Sequence, residues 1–193
     1  MCGIVGIIDP GPSEAKEALL RRMLGLIRHR GPDAFGMYLH DKVGLGSARL
    51  RILDLAGGDQ PIHNETGTVW IVYNGEVFNY PDLRVELEQK GHRFYTKTDT
   101  EVLVHLYEEM GPELLNKLNG QFAFALWDSR EQVLMLARDR VGIRPLFYHL
   151  ENGRLLFGSE IKTIFADSSV SRDLDVQALS DIFTCWSPLG DAT

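Results

Sequence analysis

The chain has 193 residues, a formal net charge of −7, 44% hydrophobic residues and 24% charged residues. These values are typical of a folded globular protein rather than a disordered or membrane protein, and the length favours one domain over residues 1–193. No basic cluster and no membrane-length apolar stretch occurs in the sequence, so neither a nucleic acid nor a membrane is expected as a partner.

The predicted elements begin with an apolar, β-branched run from Cys2 to Asp9, which is typical of a buried strand. A helix is predicted in SEAKEALLRRMLGLIRHRG, where Ser13 could cap the start and Gly31 could end it. Two further helices are predicted in PDLRVELEQKG and TDTEVLVHLYEEMG, and Thr98 and Glu101 have capping-box spacing in the second.

Strand candidates outnumber the helices and follow one another with short connections. They are GMYLHD, VGLGSARLRILDL, TVWIVYNG, QFAFALWD, VLMLARD, LFYHL and RLLFGS. Strands joined by tight turns form antiparallel sheets, so the pattern predicts an α+β sandwich with helices outside the sheets. The final segment, RDLDVQALSDIFTCWSPLGDAT, begins a helix and then stops, and we expect the native chain to be longer.

Several enzyme classes lack their motifs in this sequence. There is no GxxxxGK[ST] loop, no complete dinucleotide fingerprint and no GxSxG elbow. The two cysteines, Cys2 and Cys185, show no zinc-binding spacing, and none of the six histidines has a companion at metal-ligand spacing. The sequence therefore predicts no metal site, and the low cysteine content favours a cytoplasmic location.

Cys2 directly follows the initiator methionine. Once Met1 is removed, Cys2 carries a thiol with a reference pKa of about 8.5 and an α-amine with a reference pKa of about 7.7–8.0, so one residue supplies nucleophile and base. The alternative is that Cys2 is a small hydrophobic residue at a strand end, as free cysteines often are. Its position alone leaves both readings open.

Seven blocks in chain order resemble one family. They are MCGIVGIID, RHRGPDAFG, ARLRILDL with GDQPI, NGEVFNY, TDTEV, GQFAFALWD and ARDRVGIRPLFY. Together they are similar to the N-terminal glutaminase domain of glutamine-hydrolysing asparagine synthetases, a class II glutamine amidotransferase. The resemblance implies the N-terminal-nucleophile (Ntn) hydrolase fold, a four-layer αββα sandwich of two antiparallel sheets between helices.

The resemblance also implies an activity. The domain would hydrolyse L-glutamine to glutamate and ammonia, and the ammonia would serve asparagine synthesis from aspartate in a C-terminal synthetase domain of the same native chain. The SGGxDS loop of that synthetase is absent here, so no cofactor is expected for this domain, and ATP and magnesium only for the missing one. A homodimer is possible. The alternatives are the glutaminase domain of an amidophosphoribosyltransferase or a glucosamine-6-phosphate synthase, or a catalytically idle glutamine-binding or structural domain.

Four residues match the reaction centre of the family. Cys2 matches the nucleophile, and Gly3 would leave room for substrate. Asn74 and Gly75 match the oxyanion hole, where a carboxamide N–H and a backbone N–H face the developing negative charge. The alternative for an Asn-Gly pair is a tight hairpin turn, but no partner strand follows this pair immediately.

Five further residues match the substrate-binding shell. Arg49 matches the residue that holds the α-carboxylate, and a guanidinium offers bidentate geometry for it. Glu76 and Asp99 match the acceptors around the α-ammonium, although Asp99 could equally be a favourable charge at a helix N-terminus. Ile52 and Leu53 would contribute backbone contacts only.

Two further features lie near these residues in the sequence. Many family members carry histidine where this chain has Ser47, two residues before Arg49, so support of that arginine is expected to differ. The loop from Arg30 to Asp33 resembles a segment beside the nucleophile, yet Gly31 and Pro32 could simply end a helix.

Overall fold

The computed structural model describes residues 1–187 and 189. Its strands are β1 (Gly3–Ile8), β2 (Ala34–His40), β3 (Val43–Arg49), β4 (Ile62–His63), β5 (Val69–Val77), β6 (Gly120–Asp128), β7 (Val133–Arg138), β8 (Phe147–Glu151) and β9 (Arg154–Gly158). Its α-helices are α1 (Ser13–Leu26), α2 (Tyr80–Gln89), α3 (Thr100–Met110), α4 (Ile161–Ile164) and α5 (Val176–Cys185), with 3₁₀ turns at Arg28–Arg30 and Gly111–Asn116. No helix within the described residues is long and apolar enough to cross a membrane.

The strands form two antiparallel sheets. One has the order β2-β3-β1-β9-β8 and the other has the order β4-β5-β6-β7. In the first sheet Gly3 lies opposite Ala48, so the start of β1 meets the end of β3. In the second sheet Asn74 of β5 lies opposite Ala123 of β6. The first register places Cys2 beside Arg49 and Leu50.

Three apolar clusters separate four layers. One packs the second sheet against α2 and α3, with Ile71, Phe124, Leu83, Leu87 and Leu103 among its members. Another packs the first sheet against α1 and α4, with Val5, Ile7, Leu20, Met23 and Ile164. The third lies between the sheets and contains Ile4, Leu45 and Phe157 from one and Val72, Ala125 and Trp127 from the other. The predicted αββα sandwich is therefore confirmed.

Side-chain alternation along the strands explains where polar residues enter this sandwich. Ile4, Leu45 and Val72 point into the layer between the sheets. Because every second side chain of a strand shares a face, Arg49 lies on the face of Leu45, and Asn74 lies on the face of Val72. Polar groups thus occupy one end of the inter-sheet layer, and that end becomes the candidate site.

The element ends differ from the sequence predictions in several places. No side chain caps α1, whose N-cap is Pro12, and Gly31 ends the following 3₁₀ turn rather than the helix. The predicted capping box is wrong, because Asp99 occupies the N-cap of α3 and Glu101 accepts hydrogen bonds from the backbone before it.

The observed ends of two strands also differ from, or decide between, the sequence predictions. The third predicted strand ends at Arg49, earlier than expected, and an irregular segment follows it. Asn74 and Gly75 lie inside β5, so the hairpin alternative for this pair is wrong. The predicted C-terminal helix is α5, and positions 188 and 190–193 of that segment lie outside the described residues.

Candidate active site

One open cleft brings together eight of the nine residues that the sequence singled out, all but Gly3. The cleft has a volume of about 610 Å³ including its mouth, and it is lined by Cys2, Arg49, Ile52, Leu53, Asn74, Gly75, Glu76 and Asp99. It lies where the start of β1, the end of β3, the middle of β5 and the N-terminus of α3 converge. The shared location is consistent with one binding site.

Cys2 is half-buried, and its sulfur contacts the backbone of the residue after β3. The N–H of Leu50 donates to Sγ at 3.4 Å, and Sγ lies 3.6 Å from the Leu50 carbonyl oxygen. The backbone of Cys2 is held as well, because Arg30 Nε donates to its carbonyl at 3.0 Å while Arg30 Nη1 donates to Glu160 at 3.1 Å. The loop that begins at Arg30 therefore does lie beside Cys2.

Gly3 does not have the expected role. It is not part of the cleft lining, and a Cβ at this position would lie 2.8 Å from Cδ1 of Ile27 and 3.1 Å from Cδ of Arg30. The absence of a side chain lets β1 pack against the segment after α1. The prediction that Gly3 makes room for substrate is wrong.

Gly75 lines the cleft and is pressed against β6. A Cβ there would lie 2.3 Å from the carbonyl oxygen of Gln121, so a larger residue would push the two strands apart. β5 pairs with β6 along one edge. The N–H groups of Tyr73 and Val77 point to the other edge of β5, where they donate to Gln60 Oε1 and Asp99 Oδ2. Because backbone N–H groups alternate along a strand, the N–H of Gly75 points to that same edge and faces the cleft.

Asn74 carries a buried amide group whose donor is unused. Its exposed fraction is 1%, and its Nδ2 has no hydrogen-bond partner within the described residues. A buried donor without a partner costs about 1–3 kcal/mol, so native proteins rarely leave one. The Asn74 amide and the Gly75 N–H thus form a pair of donors that an anionic ligand atom could satisfy.

Arg49 is buried and already holds the irregular segment that follows β3. Its Nη1 donates to Asp59 Oδ1 at 2.7 Å, and its Nη2 donates to the carbonyl oxygens of Leu53 at 2.6 Å and Asp54 at 2.9 Å. Because Nη2 already makes two bonds, a substrate carboxylate would have to use the other donors or displace one of these acceptors. The guanidinium is placed by its own chain before any ligand binds.

The neighbours of Arg49 differ in what they contribute. Leu53 supplies a backbone contact, but to Arg49, and Ile52 is 71% exposed at the cleft wall. Ser47 is fully buried, and its Oγ has no hydrogen-bond partner within the described residues. Ser47 therefore does not support Arg49 by a hydrogen bond.

Asp99 lies at the N-cap of α3, but its carboxylate faces β5. Oδ2 accepts the hydroxyl of Tyr73 and the N–H of Val77, both at 2.9 Å, and no side-chain bond caps the helix. Burial raises the pKa of Asp99, the two hydrogen bonds lower it, and the nearby Glu76 carboxylate raises it, with a net increase. Glu76 itself is exposed at the cleft mouth.

Sequence reasoning gave no site role to several lining residues, and four of them make contacts that matter for the cleft. Leu50 contacts the sulfur of Cys2 through its backbone N–H, which no residue pattern reveals. Gln60 Oε1 accepts a hydrogen bond from the N–H of Tyr73 in β5. Tyr73 was visible only as a strand residue before Asn74. Arg144 contacts the sulfur of Met1, and the block VGIRPLFY that contains it indicates the family but no role for this arginine.

The four-layer sandwich is the Ntn-hydrolase fold that the sequence resemblance implies. The chain belongs to the glutamine amidotransferase domain family, whose family model matches residues 1–192. This confirms the resemblance inferred from the seven sequence blocks.

Individual relatives are similar over most of this chain. It is 42% identical over 182 residues to asparagine synthetase [glutamine-hydrolyzing] 1 of Bacillus subtilis, covering 93% of this chain and 29% of the relative. It is 42% identical over 171 residues to asparagine synthetase [glutamine-hydrolyzing] 2 of Arabidopsis thaliana, covering 86% of this chain and 29% of the relative. The chain thus spans less than a third of the length of these curated relatives.

The fold is also similar to that of a solved amidotransferase. The glutamine phosphoribosylpyrophosphate amidotransferase from B. subtilis superimposes with a TM-score of 0.70 at 22% sequence identity, over 86% of this chain and 43% of that chain. At this identity the similarity supports the fold alone.

Proposed function

We propose that this domain hydrolyses L-glutamine to glutamate and ammonia, with Cys2 as the nucleophile. One observation carries the proposal: the unpaired amide of buried Asn74 and the N–H of Gly75 face the same cleft as the Cys2 sulfur. Two donors beside a nucleophile provide for a carbonyl oxygen that gains negative charge during attack. An idle glutamine-binding domain would have no need to bury an unused donor beside a thiol.

The reaction proceeds in two stages in the chain without Met1. The α-amine of Cys2 accepts the thiol proton, and Sγ attacks the side-chain carbonyl carbon of glutamine. The tetrahedral oxyanion is stabilised by Asn74 and Gly75, and it collapses when the ammonium group of Cys2 returns the proton to the departing nitrogen. Ammonia leaves and a thioester remains, which water hydrolyses to free glutamate and the thiol.

Charge complementarity supports an amino-acid substrate. Arg49 offers its remaining donors to the α-carboxylate, while Asp99 and Glu76 offer negative charge to the α-ammonium. Ile52 and Leu53 form the wall next to Arg49. The opposite charges at two parts of one cleft would orient glutamine with its side chain towards Cys2.

We further propose that the ammonia serves an ATP-dependent synthetase domain of a longer chain, which makes asparagine from aspartate. The identity to asparagine synthetases from a bacterium and a plant supports this acceptor over that of the phosphoribosylpyrophosphate enzyme, whose likeness rests on the fold. ATP and magnesium would be required only in that domain. A cytoplasmic setting is consistent with free Cys2 and Cys185.

The test compares chains with and without Met1. In the structure Met1 precedes Cys2, and the amide nitrogen between them cannot accept the thiol proton at neutral pH. The two forms are separated, identified by intact mass and assayed for ammonia release from glutamine. Activity should be negligible with Met1, present without it, and abolished by Cys2→Ala, whereas the exposed control Cys185→Ala should remain active.

Two results would contradict the proposal. Equal activity with and without Met1 would show that the base lies elsewhere. Turnover by Cys2→Ala within several-fold of the parent chain, in protein free of contaminating glutaminase, would remove Cys2 as the nucleophile.

A further inference from the structure

Four side chains of types that can ligate a metal converge beside helix α3, and none of them lines the cleft. They come from three separate segments. Glu65 lies between β4 and β5, His92 follows α2, and His105 and Glu108 lie one turn apart on α3. Their ligand atoms all lie within 4.8 Å of one another.

The distances between these atoms resemble the edges of a small coordination polyhedron. Nδ1 of His105 lies 3.2 Å from Oε2 of Glu108 and 3.4 Å from Oε2 of Glu65. Nδ1 of His92 lies 3.8 Å from Oε2 of Glu108 and 3.7 Å from Oε1 of Glu65. Tetrahedral zinc with bonds of about 2.0–2.1 Å has ligand-to-ligand edges of roughly 3.3–3.5 Å, so small side-chain movements would close the four groups around one ion.

Both histidines are oriented in the way that metal ligands require. Each turns Nδ1 towards the centre of the cluster and Nε2 towards a carboxylate outside it. Nε2 of His92 lies 3.1 Å from Oε1 of Glu109, and Nε2 of His105 lies 3.6 Å from Oε1 of Glu101. A carboxylate bonded to Nε2 favours a metal ligand with its Nδ1 lone pair free, and Glu109 is placed to do this for His92. Nε2 of His105 has no hydrogen-bond partner within the described residues.

The carboxylates of Glu65 and Glu108 are also positioned by hydrogen bonds from other groups. Asn64 Nδ2 donates to Oε1 of Glu108 at 2.7 Å, and the backbone N–H of Arg93 donates to Oε1 of Glu65 at 2.8 Å. In Glu108 this bond leaves Oε2 facing the histidines. His105 is fully buried, while Glu65 keeps an exposed edge through which an ion could enter.

We propose that Glu65, His92, His105 and Glu108 form a binding site for one divalent transition-metal ion, of which zinc fits best. Two imidazole nitrogens and two carboxylate oxygens suit zinc, and four protein ligands make a closed, structural site rather than a catalytic one. The ion would join the β4–β5 turn, the segment after α2 and helix α3. The sequence expectation of no metal site is revised, because only tertiary contacts bring these ligands together.

The competing reading is that His105 is a buried imidazolium paired with carboxylates. Burial lowers the pKa of His105, but Glu101, Glu108 and Glu65 raise it to a net value of about 9 in the metal-free chain. That reading accounts for one charged ring. It gives no reason for His92 to turn its Nδ1 towards the same carboxylates with Glu109 behind it.

The test measures zinc binding to the whole chain in a background with Cys2→Ala and Cys185→Ala, which removes competing thiols. Isothermal titration with zinc chloride should give one site, and zinc should raise Tm. Glu65→Gln and His92→Gln should each weaken binding at least about tenfold and reduce the rise in Tm at the same zinc concentration. The control is His149→Gln, which removes another histidine near a glutamate, 3.5 Å from Glu151, outside the cluster.

Cobalt(II) provides a second readout that does not depend on stability. In the background chain it should give the intense visible absorption of a tetrahedral site, and Glu65→Gln should lose it. Because Glu65 is exposed, that variant keeps the fold, which circular dichroism verifies. Absence of zinc binding in the background chain, or equal binding by His92→Gln and His149→Gln, would overturn the site and favour the imidazolium reading.

Discussion

Replacing Asn74 by alanine tests the proposed oxyanion hole most directly. The substitution removes a buried amide whose Nδ2 makes no hydrogen bond within the described residues. In the resting protein that donor stabilises nothing, whereas in the transition state it would meet a full negative charge. We therefore expect catalysis and folding stability to respond very differently.

The expected loss follows from known oxyanion-hole donors. Removing one costs about 2.7–4 kcal/mol of transition-state stabilisation, so kcat of Asn74→Ala should fall by about 10²–10³ while KM changes little. The free energy of unfolding should change by only about 1 kcal/mol, because relief of the unpaired donor offsets lost packing. Ammonia release in Met1-free protein and urea denaturation measure the two quantities.

Asn64 provides the matched control. It is a buried asparagine directly after β4 of the same sheet, and both atoms of its side-chain amide are hydrogen-bonded. Its Nδ2 donates to Thr66, Thr68 and Glu108, and its Oδ1 accepts from the backbone of Thr68 and Val69. Asn64→Ala should lose about 2–4 kcal/mol of stability and keep kcat in the folded protein. If Asn74→Ala retained kcat within threefold, or lost stability as Asn64→Ala does, the oxyanion assignment would be refuted.

Three further predictions concern binding and pH. Arg49→Lys should raise KM at least about tenfold, because an ammonium cannot replace the guanidinium donors, while Arg51→Lys, on the same Asp59 partner, should not; equal KM values would remove Arg49 from the site. Asp99→Asn should raise KM with little loss of stability, since one amide oxygen can accept both bonds now made by Oδ2; normal kinetics with a large stability loss would give Asp99 a purely structural role. Burial raises the pKa of Glu160, but Lys162, Arg30 and His29 lower it from 4.5 to about 2, so its stabilising contribution is present above pH 4.5 and is lost as pH falls towards 2. The difference in unfolding free energy between the parent and Glu160→Gln should therefore shrink over that range, and a constant difference would contradict the assignment.

The layers of the fold and most residues of the cleft lining named above could be predicted from the sequence. The apolar runs at Val69–Tyr73 and Gly3–Ile8 predict strands, and short connections between successive strands predict antiparallel sheets. The order of the seven blocks then pointed to Cys2, Arg49 and Asn74. These signals are local, since strand periodicity and turn chemistry act between residues close in the chain.

Contacts between distant segments become visible only in the folded chain. The Leu50 N–H reaches the Cys2 sulfur because β1 and β3 pair in one register, and a shift of that register by one residue would turn Arg49 to the opposite face. The sequence resemblance predicts that Gly3 leaves room for substrate, but in the fold Gly3 packs against Ile27. Such contacts join residues far apart in the chain, and the balance of packing over the whole sandwich, which no short sequence pattern encodes, determines them.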